Sequence, residues 1–119
     1  MGQHNAFGHE GERIAADFLM KKGYQILKQN YRYDRAEIDI LAQNEDTLIV
    51  VEVKSRTSEF LEDITQVINQ GKIKRLVKAA DHYVEENNLD LEVRFDVIIV
   101  KRSSKGMEIE HLESAFHHF

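Results

Sequence analysis

The sequence has no cysteine, no proline and no tryptophan in 119 residues. Without cysteine, disulfides, zinc–thiolate centres and thiol catalysis are excluded, and the chain suits a reducing cytosol. Without proline or a Gly/Ser-rich stretch, nothing marks a linker, so residues 1–119 read as a single domain. No apolar run approaches the roughly 20 residues that span a bilayer. The polar start, Met1 to Gly11, lacks the apolar segment of a signal peptide. The expectation is a cytoplasmic protein with no membrane partner. Net positive charge is also missing: 16 Lys and Arg stand against 21 Asp and Glu, a balance of -5. Phosphate binding is driven by clustered cations, so the sum speaks mildly against a nucleic-acid partner. An acidic metal site, however, adds negative charge that a bound cation offsets, and distribution matters more than the total.

What is present is ordinary globular material, 42% hydrophobic and 31% charged, enough to bury one core without staples. Gly11, Ile14, Ala15, Phe18 and Leu19 fall on one face of a helix expected from about Phe7 to Lys22, with Gly23 placed to end it. Tyr24 to Tyr33 reads as extended. Residues 36–42 and 47–55 read as a β-hairpin around the polar turn Gln43-Asn44-Glu45-Asp46. A symmetric closure of that turn puts Ala42 opposite Thr47 and Glu37 opposite Glu52. Ile64 to Asn87 is helical with a change of apolar phase, which predicts a break near Gly71. Glu92 to Arg102 is a strong strand, and Met107 to Leu112 a further one. This order predicts an α/β sandwich, a mixed sheet with helices against it.

The hairpin carries the chemistry. Strand side chains alternate between faces. Glu37, Asp39 and Leu41 should share one face of the first strand, with Ile38 and Ile40 on the other. On the second strand Glu52 and Lys54 share a face, opposite Val51 and Val53. If the apolar sets meet in a core, Glu37, Asp39 and Glu52 gather with Lys54 beside them. Carboxylates so close raise one another's pKa or require a cation. Asp and Glu oxygens suit Mg²⁺ or Mn²⁺, which bind through one or two carboxylates plus substrate phosphate. Such an ion activates water for phosphate displacement, and a neighbouring ammonium neutralises developing charge. The plainer alternative is a solvated, salt-bridged hairpin face, which shows the same alternation.

The segments Gly8-His9-Glu10-Gly11-Glu12-Arg13-Ile14-Ala15-Ala16, Gly23-Tyr24-Gln25-Ile26-Leu27, Asn30-Tyr31-Arg32, Glu37-Ile38-Asp39-Ile40-Leu41-Ala42, Val51-Glu52-Val53-Lys54-Ser55-Arg56 and Arg94-Phe95-Asp96-Val97, with the close Glu110 to Phe116, occur in the order seen in the YraN family. The chain thus resembles that uncharacterised bacterial family, which is similar to the PD-(D/E)xK nucleases and, among them, to archaeal Holliday-junction resolvases. The resemblance implies a restriction-endonuclease-like α/β fold and a metal-dependent nuclease acting on DNA. It matches Asp39 and Glu52 to the metal-binding acids, Lys54 to the catalytic lysine, and Glu12 to the acid contributed by the first helix. Periodicity alone does not single out Glu12, whose other reading is a surface acid near a helix N-terminus. Two departures stand out: Ala36 where a glycine commonly precedes the Glu-Ile-Asp motif, and Phe60-Leu61-Glu62-Asp63 where the family carries Phe-Gly-x-Pro.

Glu37 is a secondary ligand or a salt-bridge partner of Arg35 or Lys54. Lys72, Lys74, Arg75 and Lys78 form the densest basic cluster, either a solvated helix face or a phosphate-tracking surface that Arg56, Arg32, Arg35 and Arg94 extend. Lys72, set apart from the others, matches a lysine frequent in the family and reads as a substrate contact. The six histidines lack metal-ligand spacing and read as exposed. Asp96 beside Arg94 reads as a buried or edge salt bridge. The expected function is a Mg²⁺- or Mn²⁺-dependent endonuclease on DNA, branched or damaged. The alternatives are a non-catalytic nucleic-acid-binding module on the same fold and an accessory protein docking through its acidic surface. Resemblance to resolvases implies a homodimer.

Overall fold

The structure, a computed structural model, describes residues 2–57 and 69–116. In chain order the elements are α1 (Gly2–Lys21), β1 (Gln25–Tyr33), β2 (Ala36–Asn44), β3 (Thr47–Arg56), α2 (Gln70–Glu86), β4 (Glu92–Ser103) and β5 (Gly106–Phe116). Helix α1 starts earlier than its apolar stripe predicts and stops as expected. Gly23 takes φ +95° and donates to Met20 O at 3.0 Å, while Tyr24 N donates to Leu19 O at 3.0 Å. That paired closure consumes the last carbonyls of the helix and needs the left-handed residue that glycine supplies. Helix α2 begins at Gln70, where Asn69 caps it by accepting from Lys72 N at 2.8 Å. The predicted break near Gly71 is thus a helix start. The preceding expectations for Ile64, Val67, Ile68 and the loop 60–63 lie outside the described residues.

The five strands stand in sheet order β1-β2-β3-β4-β5. All neighbours are antiparallel except β3 and β4, which are parallel. The expected restriction-endonuclease-like α/β arrangement, a mixed sheet flanked by helices, is what the chain forms. Ala15, Ala16 and Leu19 of α1 pack with Ile40, Ala42, Ile49, Val51, Ile98 and Val100 on one side of the sheet. Leu76, Ala79 and Ala80 of α2 pack with Ile38, Leu41, Leu48, Val50 and Phe95 on the other. The run Leu48 to Val51 is therefore buried on both faces, as a central strand next to a parallel neighbour should be.

Two details of the hairpin differ from expectation. Its turn is only Glu45-Asp46, with Glu45 at φ +56°, so Asn44 pairs with Thr47 and Ala42 with Ile49. The slip is an even one and by itself exchanges no side chain between faces. Continuing the ladder, Asp39 and not Glu37 comes opposite Glu52. Second, Ile38 and Ile40 do not share a face: Ile38 packs toward α2 and Ile40 toward α1. The alternation breaks at Asp39, across from Asn30, which is in the left-handed region at φ +55°. Asp39 thus sits where β2 switches faces.

Arg94 grips Asp96 with two hydrogen bonds of 2.9 and 2.8 Å; of the buried or edge salt bridge expected there, the Asp96 end is fully buried. His111, expected at the surface, is buried instead and places Nε2 2.8 Å from Asp96. Ser114 N donates to the same carboxylate at 3.0 Å. Burial opposes ionisation of Asp96, but the bonds from His111, Arg94 and Ser114 outweigh it and hold the carboxyl below its usual range. This knot ties β5 to β4.

Candidate functional site

The β2–β3 ladder ends at Ile40–Val51, and beyond it Glu52 to Arg56 pair with β4 alone. Where the two strands part, the N–H of Val53 has lost its cross-strand carbonyl. Asp39 Oδ2 accepts it at 2.8 Å instead. A carboxylate is thus built into the seam as a substitute for a backbone acceptor, which fixes its position.

Glu52 follows Leu48 and Val50 toward the α2 side of the sheet, where its side chain is only 6% exposed. It lies within hydrogen-bonding reach of Asp39. Its Oε2 stands 3.8 Å from Lys54 Nζ and forms a close ion pair with Lys72 of α2. That oxygen meets ammonium charge without a well-formed hydrogen bond. Glu12, one turn before Ala15 and Ala16 on α1, reaches Asp39 from the other side. It gets there because the helix passes close to β3 at Gly11, where any Cβ would collide with Ser55 Oγ. Glu12, Asp39, Glu52 and Lys54 are therefore brought together as predicted, by α1, β2 and β3.

These groups line an open cleft of about 320 Å³. Arg35, Lys72 and Arg75 complete its basic side. Glu37 is exposed at the rim, and its partner is Arg32 at 3.1 Å, where Arg35 or Lys54 was expected. Lys74 and Lys78 sit on the solvent side of α2 and do not line the cleft; Lys78 binds Asp34 at 3.2 Å. Arg56 lies beyond the cleft with Nη1 donating to Ser55 O at 2.9 Å. The predicted basic cluster thus divides, with Lys72 and Arg75 facing the acids. Sequence reading missed the contact between Lys72 and Glu52, which lie on separate elements.

Burial and the adjacent Glu52 push the Asp39 carboxyl up to about 8, against the pull of the Val53 N–H. Burial also raises Glu12, with Glu37 and Glu52 adding to it and His9 opposing. Lys54 is lowered, first by burial and then by Lys72, although Glu52 and Asp39 favour its charge. Perturbations of this kind, gathered in a cleft, are characteristic of sites that do chemistry. Among the described residues no group of three or more acidic or imidazole side chains forms a metal cage. The Asp39–Glu52 pair is an open donor set. It fits a Mg²⁺-like ion, which keeps several waters and takes few carboxylates.

Residues 11–100 match the uncharacterised protein family UPF0102. A UPF0102 protein of Flavobacterium psychrophilum is 48% identical over 119 residues, the whole of both chains. One from Christiangramia forsetii is 44% identical, again over the whole of both chains. One from Parabacteroides distasonis is 44% identical over 98% of this chain and 97% of its own.

Proposed function

The chain belongs to the UPF0102 family, and we propose that it is a metal-dependent endonuclease cleaving phosphodiester bonds in DNA, with branched or repair and recombination intermediates as substrates. The observation that carries this reading is half-buried Asp39 beside buried Glu52 at the parting of β2 and β3, with Lys54 two residues along the same strand. Keeping two acids together at the cost of a carboxyl pushed up to about 8 is poor design for a binding surface. It is apt for holding a cation.

Asp39 and Glu52 would hold Mg²⁺ or Mn²⁺, which when bound supplies positive charge at the scissile phosphate and a water of lowered pKa. The remaining work falls to the chain. Lys54 presents an ammonium beside the acids, to neutralise charge developing on the phosphate. Glu12 offers a hydrogen-bond acceptor that orients the attacking water. Arg35 and Arg75, at the edge of the cleft, hold flanking phosphates. One such site cuts one strand, so action on a four-way junction calls for a homodimer.

The test is a cleavage assay over linear, flapped and four-way DNA with Mg²⁺ or Mn²⁺. Wild type should cut at least one substrate, while Asp39→Ala should cut none. DNA binding without metal-dependent cleavage on any substrate would overturn the reading in favour of a binding module.

A further inference from the structure

Two ammonium groups converge on one carboxylate oxygen. Lys54 Nζ lies 3.8 Å from Glu52 Oε2, and Lys72 closes on the same atom. Their origins differ. Lys54 shares a strand with Glu52 and cannot leave its neighbourhood. Lys72 comes from the first turn of α2, its backbone N held by Asn69 at 2.8 Å. Four methylenes separate that anchored backbone from the charge, and the side chain is 28% exposed against 6% for Glu52. Lys72 is therefore the partner that can depart.

We propose that Lys72 is a resident counter-ion, which occupies the cation position on Glu52 until a divalent metal enters and then passes to a substrate phosphate in the cleft. The inference rests on the metal reading of Asp39 and Glu52. An ammonium and a divalent cation repel at contact distance and cannot share Oε2. Swung away from it, Lys72 stays within the cleft it lines with Arg75. There a phosphate oxygen replaces the lost carboxylate. Metal entry thus arms a phosphate contact, and a bound phosphate removes the metal's competitor. Each ligand tightens the other, and by linkage the coupling is reciprocal. Lys72 is a positioning residue that makes the metal-free site self-neutralised and the loaded site substrate-dependent.

Calorimetry with Mn²⁺ alone, on metal-free protein, tests this without reference to activity. If Lys72 holds Glu52 about nine-tenths of the time, Lys72→Gln should bind Mn²⁺ about tenfold more tightly. Lys72→Arg, which keeps the charge, should retain wild-type affinity. Lys78→Gln makes the same charge change on the same helix outside the cleft, and should stay within about twofold of wild type because salt screens it. Lys72→Gln binding no more tightly than Lys78→Gln, while wild type binds and Glu52→Gln does not, would overturn the counter-ion role and leave the metal site standing. Absence of Mn²⁺ uptake by every variant, wild type included, would overturn both.

Discussion

Replacing Asp39 by asparagine removes one ionisation from the seam and little else. Asn keeps an Oδ1 to accept the Val53 N–H now bound at 2.8 Å. In the folded protein the Asp39 carboxyl is pushed from 3.8 up to about 8. The native state therefore keeps a proton that the unfolded chain gives up at much lower pH. Stability from this group is fully present at or below pH 3.8, falls as pH rises toward 8, and is flat above that. Each pH unit in the window is worth about 1.4 kcal/mol, which caps the penalty near ~6 kcal/mol. Relaxation and water around a partly exposed pair reduce it to about 2–3 kcal/mol. Urea unfolding at a series of pH values, with chelator present, reads this directly. Asp39→Asn should match wild type near pH 4 and exceed its stability by about 2–3 kcal/mol above pH 8. Mn²⁺ at a hundred times its Kd should then return about 2.7 kcal/mol to wild type at pH 8 and nothing to the variant. Stability profiles that run parallel from pH 4 to pH 9 would refute the claim that this carboxyl is held protonated by burial and Glu52.

Lys54→Met keeps bulk and removes charge; cleavage rate should fall by about a hundredfold or more while DNA affinity changes far less. Cleavage surviving both this change and Asp39→Ala would locate the activity elsewhere. Gly11→Ala forces a Cβ into Ser55 Oγ and should cost about 1–3 kcal/mol in urea unfolding, a loss that Ser55→Ala in the same chain largely restores. Arg94→Leu leaves Asp96 buried with His111 and the Ser114 N–H as its remaining partners, and should destabilise the protein by about 3 kcal/mol without altering Mn²⁺ affinity.

Much of this arrangement was legible in the sequence because charged residues interrupt apolar strands at period two. Alternation brought Asp39, Glu52 and Lys54 together, even though the turn is shorter than it reads, but it fitted a solvated, salt-bridged face equally and grouped Glu37 with them. An even register error moves partners without exchanging faces. The switch of faces at Asp39 was not legible, since nothing in Ile38-Asp39-Ile40 says that a side chain will replace a ladder carbonyl. Glu12 came only through family resemblance, because its role depends on how closely α1 passes β3. Lys72 was singled out as a substrate contact, yet its ion pair with Glu52 needs the α2 side of the sheet to be known. His111 looked like one more polar residue on an alternating strand. Asp96, its partner fifteen residues away, draws it inward.

The agreement between sheet order and chain order has a consequence for how the molecule folds. β1 meets β2, β2 meets β3, and β4 meets β5 across two-residue reversals, so these pairings close locally. Only β3 and β4 must wait for the excursion through residues 57–91. Loop closure sets the slow step in such a chain, and the β1–β3 meander is the natural nucleus. That nucleus already contains Asp39 and Glu52, whereas Lys72 arrives later on the excursion. The clash between the two acids is thus met on the way up the barrier, with Lys54 as local compensation. Above pH 8, Asp39→Asn should therefore speed folding more than it slows unfolding in stopped-flow refolding, and the charge that equips the site also sets the tempo at which the protein folds.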